Sequence, residues 1–312
     1  MTTLLRTPPA RSTTPISRWR KAARSESAAF WLFLSPWLIG LVGLTLGPML
    51  YSLYAAFTRW DGVNAPEFIG IQNFRVMFTA DPDFWPSFGR TFLYAGARVA
   101  LGTVLALALA AMVNTRIWGR TFFRTVFFLP SIVTGVPLIV VWLWMFDPTA
   151  GILNHLLGRV GIEGPDWLAS STWSIPALVL MSLTATGGAM IIFLAGLQDI
   201  PNDLREAATV DGAGWWARFR NVTVPLLSPV ILFNVIMGLI GALQIFAEPF
   251  IMTGGGPERS TYFFGLYLYN EAFSYSNVGY ASALAWVQFL VIVLLTVAVL
   301  RLSRRHVHYL GS

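Results

Sequence analysis

The chain has no cysteine, one lysine and three histidines, and only 12% of its 312 residues are charged. Each scarcity removes a class of protein. Without cysteine there is no disulfide framework and no thiolate metal site, and cysteine usage says nothing about compartment. The single lysine, Lys21, lies in a basic tail that lacks the G-x-x-x-x-G-K-[ST] frame needed to cradle nucleotide phosphates. His155, His306 and His308 do not form an H-E-x-x-H pair. The sequence therefore assigns no catalytic residue, no metal ligand and no cofactor bound by this chain. The charge deficit is the most telling, because soluble domains carry about 25% charged residues. With 55% hydrophobic residues and a mean hydropathy of +0.63, much of the surface must face something other than water. The net charge of +6 would suggest nucleic acid in a soluble protein. Here membrane topology accounts for it, and no nucleic-acid partner is expected.

What the chain has instead is long apolar runs. Those near 29–57, 87–113, 122–146, 173–197, 226–251 and 277–302 each reach the ~20 residues needed to cross ~30 Å of hydrocarbon. The expected fold class is an all-α polytopic membrane protein with six transmembrane helices, its membrane domain spanning 28–303. Residues 1–27, rich in Arg, Ser, Thr and Pro, have few apolar residues to pack and are expected to form a disordered basic tail. Residues 304–312 form a second tail. The run from Ala28 to Phe57 is too long for the apolar core of a secretory signal, so it reads as a retained crossing.

Arginine is unevenly placed. It collects in the amino-terminal tail, around Arg116, Arg120 and Arg124, in the loop with Arg205, Arg218 and Arg220, and after Arg301. The intervening loops carry Asp61, Glu67, Asp81, Asp83, Asp147 and Asp166. The positive-inside rule then puts both termini in the cytoplasm.

One cytoplasmic loop, 198–225, is legible residue by residue. Asn202 and Asp203 follow Pro201 and are good N-caps. Leu204 to Val210 are helix formers. Gly212 suits the C′ position, where φ is positive. A second short helix is expected from Trp215 to Asn221, and Pro225 opens the next span. Ala207 and Ala208 leave a shallow surface that a partner backbone can approach. Taken alone, the loop could equally be a capped connector between two spans.

The stretch Glu206-Ala207-Ala208-Thr209-Val210-Asp211-Gly212, nine further residues, then Val222-Thr223-Val224-Pro225 resembles the EAA loop of permease subunits in binding-protein-dependent ABC importers. Val222 and Val224 replace the usual Ile and Leu. Phe68-Ile69-Gly70-Ile71-Gln72-Asn73-Phe74 and Met252-Thr253-Gly254-Gly255-Gly256-Pro257 look like segments of the MalF-like sugar permeases. Ala247 departs from that branch, which often has Asp there. The resemblance implies a MalF-like, MetI-like type I importer permease fold in the inner membrane of a bacterial cell. It implies half of a translocation pore for a sugar or glycoside, paired with a second homologous permease. An ABC ATPase dimer holding ATP and Mg would dock below, and an extracytoplasmic solute-binding protein above. Glu206, Ala207, Ala208, Asp211, Gly212 and Pro225 would couple the chain to the ATPase.

Polar groups are costly inside lipid and usually face a bundle interior or cavity. Ser182, Thr184, Thr186, Gly187 and Gly188 in the fourth span either pack helices closely or line such a cavity. Asn234, Gln244 and Glu248 lie in the fifth span. Gln244 and Glu248, at i and i+4, would share one helix face beside Phe246. Thr184, Thr186, Asn234, Gln244, Phe246 and Glu248 form the candidate substrate pathway, since amide, carboxylate and aromatic groups together suit a polyhydroxylated ligand. Arg98 lies about 15 Å into the second span at ~1.5 Å per residue. It needs a partner, for which Glu248 is a candidate. Pro130 and Pro137 should distort the third span. A polyol phosphate such as glycerol 3-phosphate is the other ligand class that Arg98 would suit. A self-contained secondary transporter is the alternative mechanism, although no internal repeat is visible.

Overall fold

The computed structural model describes residues 15–303 apart from 116, 117 and 134. It divides into two compact units, Met1–Tyr54 and Ala55–Ser312. The first contains helix α1 (Pro15–Gly40), a wide π-helical turn over Leu41–Leu46, and most of α2 (Gly47–Ala55). Residues 15–27, expected to lack structure, are helical. Arg20, Lys21, Ala22, Ala23 and Arg24 are good helix formers, and the apolar span directly after them supplies a preformed turn to extend. Residues 1–14 and 304–312, with Arg116, Arg304, Arg305, His306 and His308, lie outside the described residues.

The second unit opens with a hairpin, β1 (Thr58–Arg59) antiparallel to β2 (Glu67–Phe68), followed by α3 (Gln72–Thr79). The F-x-G-x-x-N segment fastens it. The buried Asn73 amide donates to the carbonyls of Ala56 and Thr58, both at 2.9 Å, and Phe74 packs on Phe57 with centroids 5.3 Å apart. Asn73→Ala would leave two buried carbonyls without their donor, at about 1–3 kcal/mol each. The purified protein is therefore expected to unfold several degrees earlier in a heating scan. An unchanged midpoint would show that water replaces the amide.

Helix α4 (Phe84–Asn114) is the second span. The third is a bent pair, α5 (Arg120–Phe128) with its 3₁₀ extension Leu129–Ser131, then α6 (Val136–Met145); the two arms meet at 100°. Pro137 sits in the first turn of α6, where its missing N–H costs nothing. After α7 (Ile152–Arg159), the fourth span comprises α8 (Ser174–Ser182), a 3₁₀ turn over Leu183–Thr186, and α9 (Gly187–Gln198). The loop between the fourth and fifth spans holds α10 (Asn202–Val210), α11 (Trp215–Arg218), a π-helical turn over Phe219–Thr223, and α12 (Val224–Leu226). The fifth span is α13 (Ser228–Leu243) and α14 (Ala247–Met252). It is followed by α15 (Phe264–Tyr269) and the sixth span, α16 (Val278–Ser303). Among the described residues five helices are long and apolar enough to cross a membrane; counting the bent pair as one span gives six. Span positions agree with the apolar runs to within a few residues.

Three buried clusters hold the second unit together. One joins α4, α6, α8 and the fifth span around Tyr94, Trp142, Phe146 and Leu178. A second gathers α4, α15 and α16 around Phe84, Tyr267 and Leu284. A third, around Ala106, Met190, Phe193 and Leu197, packs α4 on α9. Asp81 accepts hydrogen bonds from the hydroxyls of Tyr267 and Tyr280 and from the backbone N–H of Asp83 and Phe84. That carboxylate ties the start of α4 to α15 and α16. Burial, then the bond to Asp81, pushes the Tyr267 hydroxyl well above the usual phenol range.

Candidate functional site: an exposed helix and a membrane cleft

Two regions carry the candidate residues. The first is α10. Pro201 holds its N-cap position and no side chain caps it, so Asn202 and Asp203, the expected caps, fall inside the helix instead. Asp203 still places its charge in the first turn, at the positive end of the dipole. At the other end the expectation holds: Gly212 has φ +79°. The Ala213 N–H reaches back to the Ala208 carbonyl at 2.9 Å, and the Gly212 N–H to the Thr209 carbonyl at 3.0 Å. These two bonds make a Schellman closure, with Ala208 at C3 and Gly212 at C′. The E-A-A-x-x-x-G spacing therefore has a local cause: the glycine ends the helix one turn beyond the alanine whose carbonyl the closure satisfies.

Among the described side chains of α10 none is buried, and Val210 is 88% exposed. Glu206, Ala207 and Asp211 are exposed, and Ala208 and Pro225 half-buried. The Arg218 guanidinium donates to the Thr209 hydroxyl at 2.5 Å, linking α11 to α10. Trp215 and Phe219 stack with centroids 5.7 Å apart and planes 10° from parallel, and Trp216 packs on both. The helix following α10 ends at Arg218 rather than Asn221, and a π-helical turn takes over. Sequence reasoning missed this aromatic platform; the W-W-x-x-F spacing was its signal.

The second region is a cleft of about 190 Å³ between α4, the fourth span and α13. Arg98, Thr186 and Asn234, singled out in the sequence, line it with Ser182 and Thr103. The amide of Asn234 donates to the Val230 carbonyl at 2.9 Å. The hydroxyls of Ser182, Thr184 and Thr186 donate to the carbonyls of Val179, Met181 and Leu183. Thr184 is not part of the cleft wall. Gly187, by contrast, is a packing residue, since a Cβ there would lie 2.4 Å from the Phe127 carbonyl oxygen.

Gln244, Phe246 and Glu248 do not line this cleft. They also do not share a helix face, because the fifth span breaks between Leu243 and Ala247. Pro249 is the cause: it offers no N–H to the Ile245 carbonyl, and its ring would collide with it. The break is satisfied from outside. The Gln288 amide of α16 donates to the Leu243 carbonyl at 2.7 Å, and Gly265 lets α15 approach the Ile245 carbonyl. Phe246 packs against Phe250 and Tyr269 instead of facing a cavity. No ion pair joins Arg98 to Glu248 among the described residues, contrary to the proposed partnership. Both instead lie close to the buried Tyr94. No group of three or more His, Asp or Glu among the described residues could hold a metal ion.

Residues 99–308 match the family described as "Binding-protein-dependent transport system inner membrane component". The chain belongs to that family. Over 293 residues the permease is 40% identical to the "Probable ABC transporter permease protein YesP" of Bacillus subtilis, covering 93% of this chain and 94% of YesP. It is 34% identical to the "Multiple sugar-binding transport system permease protein MsmF" of Streptococcus mutans, covering 88% and 95%. A chain of a bacterial alginate ABC transporter, solved with an alginate-bound periplasmic protein, superposes with a TM-score of 0.79 at 22% identity. It covers 92% of the permease and 97% of that chain, and so shows the shared fold. The relatives are transport permeases, not enzymes, and so is this chain.

Proposed function

We propose that this permease forms half of the pore of an ABC importer for a sugar or glycoside. A second, homologous permease completes the pore, an ATPase dimer supplies force from the cytoplasm, and an extracytoplasmic solute-binding protein delivers the solute. Both termini lie in the cytoplasm. The observation that carries this reading is α10: a membrane protein exposes a short helix, closed at Gly212 by two backbone bonds, with the small side chains of Ala207 and Ala208 on it. Such a helix suits a groove on another protein, with Glu206 and Asp211 at its rim. Closure of the ATPase dimer would move α10, and the Arg218–Thr209 link would carry that movement into α11 and the fifth span.

The cleft at Thr186 and Asn234 gives the solute hydroxyls donors and acceptors. Names of relatives such as MsmF support the sugar assignment. The test is reconstitution in vesicles. ATP-driven accumulation is expected only when ATPase, partner permease and binding protein are all present. Accumulation by this chain alone, without nucleotide, would replace the proposal with a secondary transporter.

A further inference from the structure

Each of the three helical segments around the cleft contributes a polar group, but the wall holds one fixed charge. Arg98 lies about 21 Å along α4 from Phe84, at ~1.5 Å per residue. It lines the cleft with Thr103, Ser182, Thr186 and Asn234, and no Asp or Glu lines it. The ion pairs among the described residues, Arg59–Glu67 and Arg259–Asp83, are both in the outer loops. Tyr94, on the same helix, lies near Arg98, and Glu248 lies near Tyr94 without forming an ion pair to Arg98 among the described residues. Arg98 is half-buried; a guanidinium at this depth costs about 2.5–3.5 kcal/mol on insertion scales, and charges within spans ordinarily pair or face a water-filled cavity. Neutral hydroxyls are already served by Ser182, Thr186 and Asn234 and have no need of a cation. An oxyanion does, and the guanidinium fork matches carboxylate, sulfonate or phosphate oxygens two at a time.

We propose that Arg98 is a solute-binding residue and that the transported saccharide carries an oxyanion group. This rests on the proposed function and narrows its substrate class. The hydroxyl and amide wall meets the sugar ring, while Arg98 meets the acid.

The test uses the complete purified importer, with galacturonate, glucose 6-phosphate and galactose as separate probes in a thermal-unfolding assay. Wild type is expected to be protected by at least one acidic probe at a concentration tenfold or more below that required of galactose. Which acid protects better distinguishes carboxylate from phosphate. In Arg98→Gln the acid's advantage should vanish while galactose behaves as before. In Arg98→Lys, which keeps the charge and loses the fork, part of the advantage should remain. The proposal is overturned if galactose protects wild type as well as the acids do, if no probe protects, or if Arg98→Gln keeps the advantage. Co-purification of the ATPase is read in the same samples. Its presence with a failed acid test removes only the ligand class, whereas its absence from wild type removes the importer assignment itself.

Discussion

Gly212→Asp should lower ATP-driven uptake more than tenfold and strip the ATPase from the purified complex. The cause is backbone geometry together with charge, not crowding, because aspartate also sets a negative charge at the negative end of the α10 dipole. Gly212 sits at φ +79°, and a Cβ there would meet nothing within 4 Å. For a residue with a side chain the left-handed region costs about 1–2 kcal/mol, enough to open a Schellman closure that holds the last turn of an exposed helix. With the Ala213–Ala208 bond lost, the last turn of α10 would fray and the alanine surface would lose its shape. Two further variants separate conformation from charge. Gly212→Asn, a residue that tolerates positive φ, should retain most activity, and Gly212→Ala should fall between. Normal uptake by Gly212→Asp, with the ATPase still bound, would show that α10 is only a connector.

Gly265→Val is expected to abolish the folded permease. A Cβ at Gly265 would lie 2.5 Å from the Ile245 carbonyl oxygen and 3.6 Å from the Phe246 side chain. The first contact is with backbone at the broken level of the fifth span, so no rotamer change relieves it. Either α15 withdraws or the break widens, and both disrupt the packing of Phe264, Leu266 and Tyr267. Overpacking of this kind costs about 1–3 kcal/mol, and more where backbone must move. Yield of monodisperse protein and the unfolding midpoint are the measurements. Gly241→Ala is the matched control on α13, since its added Cβ would touch nothing within 4 Å. If Gly265→Val folds as well as that control, the close approach of α15 is not essential.

The spans were legible because a stretch of ~20 apolar residues has few other uses. The 84–114, 174–198 and 278–303 helices fall where the apolar runs put them. The C-terminal end of α10 was legible because one residue type, glycine, best suits its backbone. Its start was not: Asn202 and Asp203 are both good caps in isolation, yet Pro201, already extended at ψ 134°, takes the position before them. The face shared by Gln244 and Glu248 failed because i, i+4 spacing presumes an unbroken helix. Pro249 was the warning, and its effect falls four residues upstream. The Asn73 fastening and the Gln288 bond to Leu243 join residues 15 to 45 apart in sequence. Nothing local marks them. The cleft was half legible: Arg98, Thr186 and Asn234 were chosen because each is expensive in lipid, but only the fold shows that they meet.

The 3₁₀ turn at Leu183–Thr186 has a mechanical corollary. Ser182, Thr184 and Thr186 each place a hydroxyl on a main-chain oxygen three residues back. A rod that carries its own spare donors can tighten or slacken its winding without baring an acceptor to the oily surroundings. The fourth crossing is therefore most compliant at the level where Thr186 borders the cleft, and least so above and below it.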